Sequence, residues 1–575
     1  MNRSGLENIA FLIVRRMRQP LLTLIAVYAV SILGLSLIPG RDADGNVWHM
    51  SLFHAFYFVS YMATTIGFGE IPYAFSDAQR MWVSLSLYAS VIAWIYAFGT
   101  ILALVQDRTF QDALAENRFA RRIRKMREPF HLICGYGETG TALVKSLTDR
   151  GQHVVVIDID EERTNVIQLQ DLRDFVPALN GDAGVTQHLR EAGLQHRSCA
   201  GIVALTNDNE ANLKIAITSK LLNPGLKVIC RADSQDVEEN MASFGTDHIV
   251  DPFETFGNHL AVAFQAPCLY LLQSWLTGVI GSALSEPVYP PRDGHWIVCG
   301  YGRFGKAVCR RLAAEKIRVY VIEAHPEQTG QPESDFVHGR GTEAVTLQEA
   351  AIEGAAGLVA GTDNDANNLS IVMTARELNP DLFVVIRQNE HDNEDIITAV
   401  GADMIMHPSA IIANKIRVLL ATPMLYEFAS LALYEADSWS CELASRVSGL
   451  VRDQVPHIRE WTIDAQQTPA LHAHCSAGGE FSVGDLLRDP WQRYERLPAI
   501  VLLVRRDGDP VLLPDLETEL GVGDRLLICG SGVAFTRITW TVSHAHTLEY
   551  VRTGVDRPQA WFWRYLKGRQ EDQKK

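Results

Sequence analysis

The residues with the most specific chemistry are the six of segment 64–69, which reads Thr64, Thr65, Ile66, Gly67, Phe68, Gly69. Glycine at two alternate positions lets an extended backbone adopt unusual φ and ψ angles, so that successive carbonyl oxygens can face one way. A row of such oxygens can replace the water shell of a cation. The oxygens would belong to Thr65, Ile66, Gly67 and Phe68. The alternative is an ordinary glycine-containing turn between two apolar helices.

Two uncharged segments flank this row. Residues 21–38 and 81–106 contain no Asp, Glu, Lys or Arg, and each reaches the roughly 17 to 25 residues that cross a bilayer core. Residues 47–63 are apolar but short, so we expect a re-entrant helix that leads into segment 64–69. Its aromatic residues, which would pack around the row of carbonyls, are Trp48, Phe53, Phe56, Tyr57, Phe58 and Tyr61.

Gly99 lies in the lower half of the second apolar segment. Glycine lowers the cost of bending a helix, so we expect a gating hinge at this position. The alternative is a small residue that lets two membrane helices pack closely.

Basic residues indicate the orientation. Arg and Lys are concentrated in residues 1–19 and 107–128, whereas the loop between the apolar segments has only Arg41 and Arg80. The positive-inside rule then places both termini in the cytoplasm of a multi-pass plasma (inner) membrane protein, with the basic linker beside lipid headgroups. A cleavable signal peptide is the alternative for the first segment, but a small-residue cleavage site is missing and a second span follows.

Most of the chain must be soluble, because the 575 residues carry a formal net charge of −16 and the remainder is long enough for several domains. The acidic balance argues against nucleic acid as a partner, since binding its backbone requires clustered Lys and Arg. Nine Cys without metal-ligand spacing indicate reduced thiols rather than a disulfide framework or a zinc site.

The soluble part contains an internal repeat. An apolar strand, a GxGxxG turn and a helical pattern occupy residues 131–147 and recur at residues 296–312. A second apolar strand follows in each copy and ends in an acid, Asp158 or Glu323, close to the ~20 residues expected of a dinucleotide-binding βαβ unit. The repeat predicts two Rossmann-like α/β domains in tandem.

Each glycine turn would hold the phosphates of a nucleotide against a helix N-terminus. The two acids would accept hydrogen bonds from ribose hydroxyls and repel a 2′-phosphate, which favours NAD or an adenine nucleotide over NADP. Alternatively, one copy keeps the fold and has lost its ligand. The candidate ligand-binding residues are Gly135, Tyr136, Gly137, Glu138, Thr139, Gly140, Asp158, Asp182, Thr206 and Arg231 in the first copy, and Gly300, Gly302, Arg303, Phe304, Gly305 and Glu323 in the second.

Glu138 in the first glycine turn is replaced by Arg303 in the second. We therefore expect the first pocket to favour a dinucleotide such as NAD, and the second, if it is occupied, to favour a more anionic ligand.

These motifs resemble a known family. Segment 64–69 is similar to the potassium-filter pattern TVGYG, and the glycine turns with the strand-end Arg231 and Arg387 resemble RCK domains (regulator of potassium conductance). Nearly the whole chain resembles prokaryotic two-transmembrane potassium channels with tandem cytoplasmic RCK domains. The implied fold is a two-span α-helical membrane pore domain followed by two tandem α/β Rossmann-like RCK domains, the second with a small β-rich C-terminal lobe.

The resemblance implies the following domains. They are a cytoplasmic N-terminus (1–19), a pore domain (20–106, with span 21–38, pore helix 47–63, filter 64–69 and span 81–106), a linker (107–128), the first RCK domain (129–284), a Pro-rich linker (285–294), the second Rossmann-like lobe (295–435), the C-terminal β-rich lobe (436–543) and a tail (544–575). A helix pair with which one RCK domain grips its neighbour is expected at residues 256–276, and its equivalent in the second copy is expected to start within residues 425–433.

The implied function is that of a ligand-gated potassium channel and not of an enzyme. K⁺ would pass through a homotetrameric pore that is regulated by nucleotide binding to an octameric RCK ring. Ca²⁺ is a further candidate ligand without an assigned site, because the acidic residues 158–162 fit a solvated turn.

Two other functions stay open. Phe68 and Glu70 replace the Tyr and Asp that are usual in potassium filters, so a cation channel of relaxed selectivity is the first alternative. A membrane-anchored NAD-dependent oxidoreductase is the second and more remote one, since a membrane tether needs no filter and no proton-transfer constellation accompanies either glycine turn.

Overall fold

The computed structural model describes residues 4–69, 71–167, 169–332 and 335–555. Glu70 and residues 556–575, and with them most of the expected tail, lie outside these ranges. The chain divides into two compact units, Met1–Arg127 with Glu191–Gly193, and Glu128–Arg190 with Leu194–Lys575.

The first unit is helical. Its elements are α1 (Ser4–Leu37), β1 (Gly40–Arg41), β2 (Val47–Trp48), α2 (Leu52–Ala63), α3 (Asp77–Gln106) and α4 (Arg108–Lys125). Two stretches are long and apolar enough to cross a membrane, Ile13–Leu37 within α1 and Asp77–Gln106, which is α3. Helices α1 and α3 pack closely at Gly34 and Trp82. A Cβ on Gly34 of α1 would lie 2.0 Å from the Trp82 ring of α3, and the Trp82 indole N–H donates to the Ser31 carbonyl at 3.1 Å.

Several boundaries differ from the expected ones. The first span is expected to start at residue 21, but α1 begins at Ser4 and continues through Pro20, because a long membrane helix tolerates the one missing hydrogen bond. The pore helix is shorter than 47–63 and starts at Leu52, because Ser51 caps it by accepting the His54 N–H. Residues 47–48 instead pair with residues 40–41. The linker 107–128 is mostly helical, since Asp107 caps α4.

The first half of the second unit contains one Rossmann-like domain. Its elements are β3 (Phe130–Cys134), α5 (Glu138–Thr148), β4 (His153–Asp158), α6 (Glu161–Ile167), β5 (Ala178–Asn180), α7 (Thr186–Glu191), β6 (Cys199–Ala204), α8 (Asn209–Leu222), β7 (Lys227–Arg231), α9 (Gln235–Ser243), β8 (His248–Val250), α10 (Pro252–Gln265) and α11 (Pro267–Thr277). The parallel sheet has the order β5-β4-β3-β6-β7-β8, which places the glycine turn after the central β3 at the switch point of the sheet.

The second Rossmann-like domain repeats this architecture. Its elements are β9 (His295–Cys299), α12 (Arg303–Ala314), β10 (Arg318–Glu323), α13 (Pro326–Thr329), β11 (Asp335–His338), α14 (Ala344–Glu349), a 3-10 turn (Ile352–Gly354), β12 (Ala355–Ala360), α15 (Asp365–Leu378), β13 (Phe383–Arg387), a 3-10 turn (His391–Asn393), α16 (Glu394–Ala399), β14 (Met404–Met406), α17 (Pro408–Ala421) and α18 (Pro423–Ala432). Its parallel sheet has the equivalent order β11-β10-β9-β12-β13-β14. The predicted tandem of Rossmann-like domains is confirmed.

The two domains exchange helices. Helix α10 of the first domain packs on α12 of the second, and α17 of the second packs on α5 of the first. The cores follow this exchange, since Ile412 and Ile416 of α17 pack with the first sheet, whereas Phe256 and Leu260 of α10 pack with the second. Each glycine turn therefore lies beside a helix from the other domain.

The second helix pair starts earlier than expected. It begins at Pro408, so residues 425–433 fall within and just beyond its second helix, α18. Proline favours the first position of a helix, and Pro408 and Pro423 stand at the start of α17 and α18, as Pro252 and Pro267 do in α10 and α11.

The C-terminal lobe is built on an antiparallel sheet of order β15-β18-β16-β17. Its elements are α19 (Asp437–Val451), β15 (His457–Thr462), α20 (Pro469–Ser476), α21 (Val483–Leu486), β16 (Ala499–Arg506), β17 (Asp509–Leu512), β18 (Arg525–Gly530), α22 (Gly532–Ser543) and α23 (Ala545–Thr553). The lobe extends beyond the expected residue 543, because Leu548 and Val551 of α23 are buried.

A disulfide joins Cys268 and Cys441, which are 173 residues apart in the sequence. The expectation that all nine Cys are reduced is therefore wrong for this pair. The bond forms where the start of α11 packs against α19, a proximity that the spacing of the two Cys along the chain does not reveal.

Candidate functional site

Segment 64–69 leaves the C-terminus of α2 with positive φ at every second residue. The φ angles are +60° at Thr65, +63° at Gly67 and +75° at Gly69. Glycine adopts such angles at little cost, whereas at Thr65 the Cβ makes this conformation strained. A strained backbone at a non-glycine residue is a marker of a functional segment. Positive φ at alternate residues lets the carbonyl oxygens of successive residues face one way, as a row of ligands for a cation requires.

Tyr61 holds the start of this segment. Its carbonyl oxygen accepts the backbone N–H of Ile66 at 3.0 Å and that of Gly67 at 3.3 Å, and its ring meets the Phe68 ring edge to face with centroids 6.0 Å apart. Of the aromatic residues expected around the segment, Phe58 and Tyr61 are buried, whereas Phe53 and Phe56 are exposed within the single chain. Trp48 lies before α2 and contacts the Tyr73 ring.

One face of the segment is open within the chain. A Cβ built on Gly67 or on Gly69 would meet no atom within 4 Å. The backbone conformation, and not lack of space in the chain, is therefore what requires glycine at both positions.

Gly99 lies in the interior of α3. A Cβ at this position would also meet no atom within 4 Å, so close packing inside the chain does not explain this glycine.

The first glycine turn opens onto two adjoining cavities, with volumes of about 550 Å³ and 610 Å³. The cavities share Gly137, Arg163, Leu205 and Asn207 in their walls. All ten candidate residues of the first copy line one or both: Tyr136, Gly137, Glu138, Thr139, Gly140 and Arg231 line the first, and Gly135, Gly137, Asp158, Asp182 and Thr206 line the second.

The turn itself requires glycine. Gly135 has a φ of +102°, and a Cβ on Gly140 would lie 2.2 Å from the Gly135 carbonyl oxygen. Helix α5 begins directly after Gly137, whose lack of a side chain leaves the first turn without a side-chain cap. The backbone N–H groups of this helix start are therefore available to an anion.

Asp158 connects the turn to the end of β4. Its carboxylate is 5% exposed and accepts the backbone N–H of Tyr136 and, at 2.8 Å, that of Asp160. Asp158 also lines the second cavity. The acid thus positions the glycine turn as well as facing the cavity, a double role that spacing alone did not indicate.

The acidic turn after Asp158 is used for capping. The Asp160 carboxylate accepts the N–H of Glu162 at 2.9 Å at the start of α6, and Arg163 pairs with it at 3.4 Å. Within the described ranges, one group of three side chains has metal-ligating atoms close enough together to share an ion, namely Cys268, Asp437 and Cys441. Two of these, Cys268 and Cys441, form the disulfide. These contacts assign no role in Ca²⁺ binding to residues 158–162.

A buried asparagine shapes the far wall. Asn212 is fully buried; its side-chain oxygen accepts the Thr206 backbone N–H at 3.1 Å and hydroxyl at 2.8 Å, and its amide donates to the Arg231 carbonyl at 3.1 Å. Asn368 makes the equivalent bonds to Thr362 and Arg387 in the second copy. In the sequence, a threonine followed six residues later by an asparagine occurs in both copies, as Thr206 with Asn212 and as Thr362 with Asn368.

Two arginines supply positive charge to the first cavity. Arg231 lies at its wall and is held by Asn207 at 2.8 Å and by Asp233 at 3.0 Å, and Arg163 stands between the two cavities. Sequence reasoning missed Arg163 and also Ser409, which reaches the same cavity from α17 of the other domain. Burial raises the pKa of the Tyr136 phenol, so its hydroxyl stays protonated and donates to Gln170 at 2.5 Å.

The second glycine turn has the same backbone. Gly300 has a φ of +95°, and a Cβ on Gly305 would lie 1.9 Å from the Gly300 carbonyl oxygen. Glu323, 7% exposed, accepts the N–H of Tyr301 at 2.5 Å and that of His325 at 2.7 Å. Gly302 occupies the N-cap position of α12, as Gly137 does for α5, and likewise provides no side-chain cap. The side chains of Arg303 and Phe304, however, contact the first domain.

By fold and site, the chain combines a unit with two helices of membrane-spanning length and two Rossmann-like domains, the first of which keeps open cavities at its glycine turn. Comparison with family models matches residues 21–107 to the ion channel family and residues 131–252 and 296–408 to the TrkA-N domain.

Similar proteins are named as potassium channels. Potassium channel protein 1 of Methanocaldococcus jannaschii is 23% identical over 245 residues, which is 42% of this chain and 64% of that protein. Voltage-gated potassium channel Kch of Escherichia coli is 24% identical over 212 residues, 36% of this chain and 48% of Kch. The match thus spans less than two thirds of either relative. The solved GsuK channel has a TM-score of 0.47 and 18% identity, covering 94% of this chain and 100% of that one.

The chain therefore contains an ion-channel domain, residues 21–107, followed by two TrkA-N domains, residues 131–252 and 296–408.

Proposed function

We propose that this chain is the subunit of a potassium channel whose opening is controlled by a nucleotide bound at the first Rossmann-like domain. The observation that carries the proposal is the alternation of positive φ at Thr65, Gly67 and Gly69, in a segment that lies between two helices of membrane-spanning length. The backbone carbonyl oxygens of residues 65–68 would replace the hydration shell of K⁺. Both curated relatives described above are named as potassium channels.

Four copies would close the pore around one axis, with segment 64–69 of each copy facing the ion. The open face beside Gly67 and Gly69 and the exposed Phe53 and Phe56 of the pore helix would then be covered by neighbouring copies. The eight Rossmann-like domains of a homotetramer would form an octameric ring. The excess of Arg in residues 1–19 and 107–128 would keep both termini on the cytoplasmic side of the plasma membrane.

The regulatory ligand would be NAD or an adenine nucleotide. Its phosphates would lie at the start of α5, close to Arg163 and Arg231, and its ribose would lie at Asp158. Glu138 in the wall of the first cavity disfavours a ligand of high negative charge, which favours a dinucleotide. A ligand acts on the pore only as far as it binds the open and the closed forms with different affinity.

Within the pore unit, an ion pair would couple α4 to α1 if α4 moved with the ring. Arg16 of α1 pairs with Asp107 at 2.8 Å, and Asp107 also caps α4 by accepting the Phe110 N–H at 3.3 Å. A displacement of α4 would therefore be felt at α1 and at the end of α3 together.

The test is current through purified protein in planar lipid bilayers. Gly67→Ala should abolish K⁺ current without loss of assembly, because its φ of +63° penalises a Cβ. Gly45→Ala is the matched control, since Gly45 also has a positive φ, +87°, and open space around it but lies outside the filter. Normal selective current in Gly67→Ala would contradict the filter assignment.

Relaxed cation selectivity is the second candidate. Phe68 has no hydroxyl with which to tie the segment to the pore helix, and the contact present is that between the Phe68 and Tyr61 rings. Comparison of K⁺ and Na⁺ permeability separates this candidate from a selective pore.

A further inference from the structure

The second glycine turn contacts protein at the position where Thr139 of the first turn lines the first cavity. Phe304 stands at the position that Thr139 holds in the first copy, and it is 2% exposed. Its ring packs against Phe256 of α10, which belongs to the first domain, with ring centroids 4.1 Å apart. The Phe304 side chain also covers the segment after β12, because a Cβ on Gly361 would lie 2.7 Å from it.

Two arginines complete this contact. The Arg387 guanidinium lies over the Phe304 ring, 4.8 Å from its centroid, whereas the equivalent Arg231 faces the open first cavity. Arg303 lies over the Phe253 ring at 4.6 Å and pairs with Asp233 of the first domain at 2.8 Å. Arg231 and Arg303 thus share the Asp233 carboxylate. The difference between the turns is that Arg303 and Arg387 lie over aromatic rings whereas Arg231 lines an open cavity.

The helix exchange explains why the two turns differ. The start of α10 brings Phe253 to the second turn, and the start of α17 brings Ser409 to the first. Both residues directly follow the proline at which their helix begins. The same architecture therefore places a bulky ring at one turn and a small hydroxyl at the other.

We propose that the second glycine turn is a docking site for helix α10 of the first domain and that each chain consequently binds one nucleotide, at the first turn. The claim of one nucleotide per chain rests on the nucleotide binding proposed above, whereas the docking of α10 does not. Glycine is needed at Gly300 and Gly305 by the backbone of the turn, so the motif persists although Phe304 fills the space beside it. The start of α12 then receives the aromatic side chains of α10 instead of a pyrophosphate.

The stoichiometry is measured by titration calorimetry of the purified full-length protein in detergent with NAD and, separately, with ADP. We expect one mole of ligand per mole of chain. Thr139→Phe, which gives the first turn the residue of the second, should abolish this binding. Two moles per chain, or full binding by a folded Thr139→Phe variant, would overturn the proposal.

Docking has a readout that needs no ligand. Phe304→Ala should lower the apparent Tm by about 3 °C or more, because a buried aromatic contact is lost. Val345→Ala, at a side chain of the same domain that is 63% exposed, is the control and should leave the Tm unchanged. An unchanged Tm in Phe304→Ala would overturn the docking role, whereas failure of the wild type to bind any nucleotide would contradict the proposed function and leave the docking result standing.

Discussion

Replacement of Asp158 by alanine tests the first nucleotide site most closely. The carboxylate is 5% exposed and accepts two backbone N–H groups, from Tyr136 and Asp160. A hydrogen bond to a charged group contributes about 1.5 to 3 kcal/mol. Loss of one such bond to a ribose hydroxyl should weaken nucleotide binding roughly 10- to 100-fold.

The variant should also be less stable without ligand. The buried Tyr136 N–H loses its acceptor, at a cost of about 1 to 3 kcal/mol for an unsatisfied buried donor, and the partly buried Asp160 N–H loses the same acceptor. Thermal unfolding of the ligand-free protein measures this effect, and titration calorimetry with NAD, ADP, ATP and AMP measures the affinity. Asp158→Asn keeps an acceptor oxygen without the charge and should fall between the wild type and Asp158→Ala in both assays.

The second copy separates the two effects. Glu323 accepts the equivalent N–H groups of Tyr301 and His325, so Glu323→Ala should lower the Tm in a similar way while the affinity for NAD stays that of the wild type. Unaltered affinity for all four nucleotides in Asp158→Ala would refute the assignment of the first glycine turn as a ligand site.

Three further expectations concern other parts of the chain. Gly99→Ala should shift the open probability in single-channel recordings without changing selectivity, and an unchanged open probability over the full ligand range would exclude a hinge. His259 packs against the Tyr270 ring at 4.8 Å, and burial lowers its pKa to about 4. In the unfolded chain His259 takes up a proton as the pH falls below about 6.5, whereas in the folded chain it stays neutral until about pH 4. Lowering the pH from 7.5 to 5 should therefore reduce the free energy of unfolding by about 2 kcal/mol through this residue. In chemical unfolding, His259→Phe should lose that part of the pH dependence, and an identical pH profile would exclude the role. Cys268→Ser should lower the free energy of unfolding by about 2 to 5 kcal/mol under oxidising conditions and leave it unchanged under reducing ones; equal stability of variant and wild type under oxidising conditions would contradict a stabilising cross-link.

Patterns within one βαβ unit were predictable from the sequence. The glycine turns and the two acids lie where their spacing placed them, because a strand, a tight turn and a helix fix the geometry over about 25 residues. The repeat then located the second sheet without further assumption. The tandem α/β fold is accordingly confirmed.

Contacts between distant segments were not predictable from the sequence. Ser409 reaches the first cavity from a helix more than 200 residues further along the chain, and Cys268 meets Cys441 only because α11 packs against α19. The packing of Phe304 against Phe256 likewise depends on the exchange of helices. These contacts follow from how packed elements are arranged, and periodicity along one segment does not contain that information.

Helix ends fall between these cases. The start of α2 at Leu52 depends on the Ser51 cap, and serine at that position was visible in the sequence. The hydropathy of residues 47–51 nevertheless led to a longer predicted helix, since apolar composition marks burial more directly than it marks the first turn of a helix.

The most direct test of the central claim is the reversal potential of the reconstituted wild-type channel with K⁺ on one side of a planar bilayer and Na⁺ on the other. The proposed filter predicts a reversal potential displaced toward the K⁺ equilibrium potential by about 60 mV for each tenfold preference for K⁺ over Na⁺, with an open probability that changes when NAD is added to the cytoplasmic face. A reversal potential near zero in the presence of measurable current would contradict selective K⁺ conduction through residues 64–69.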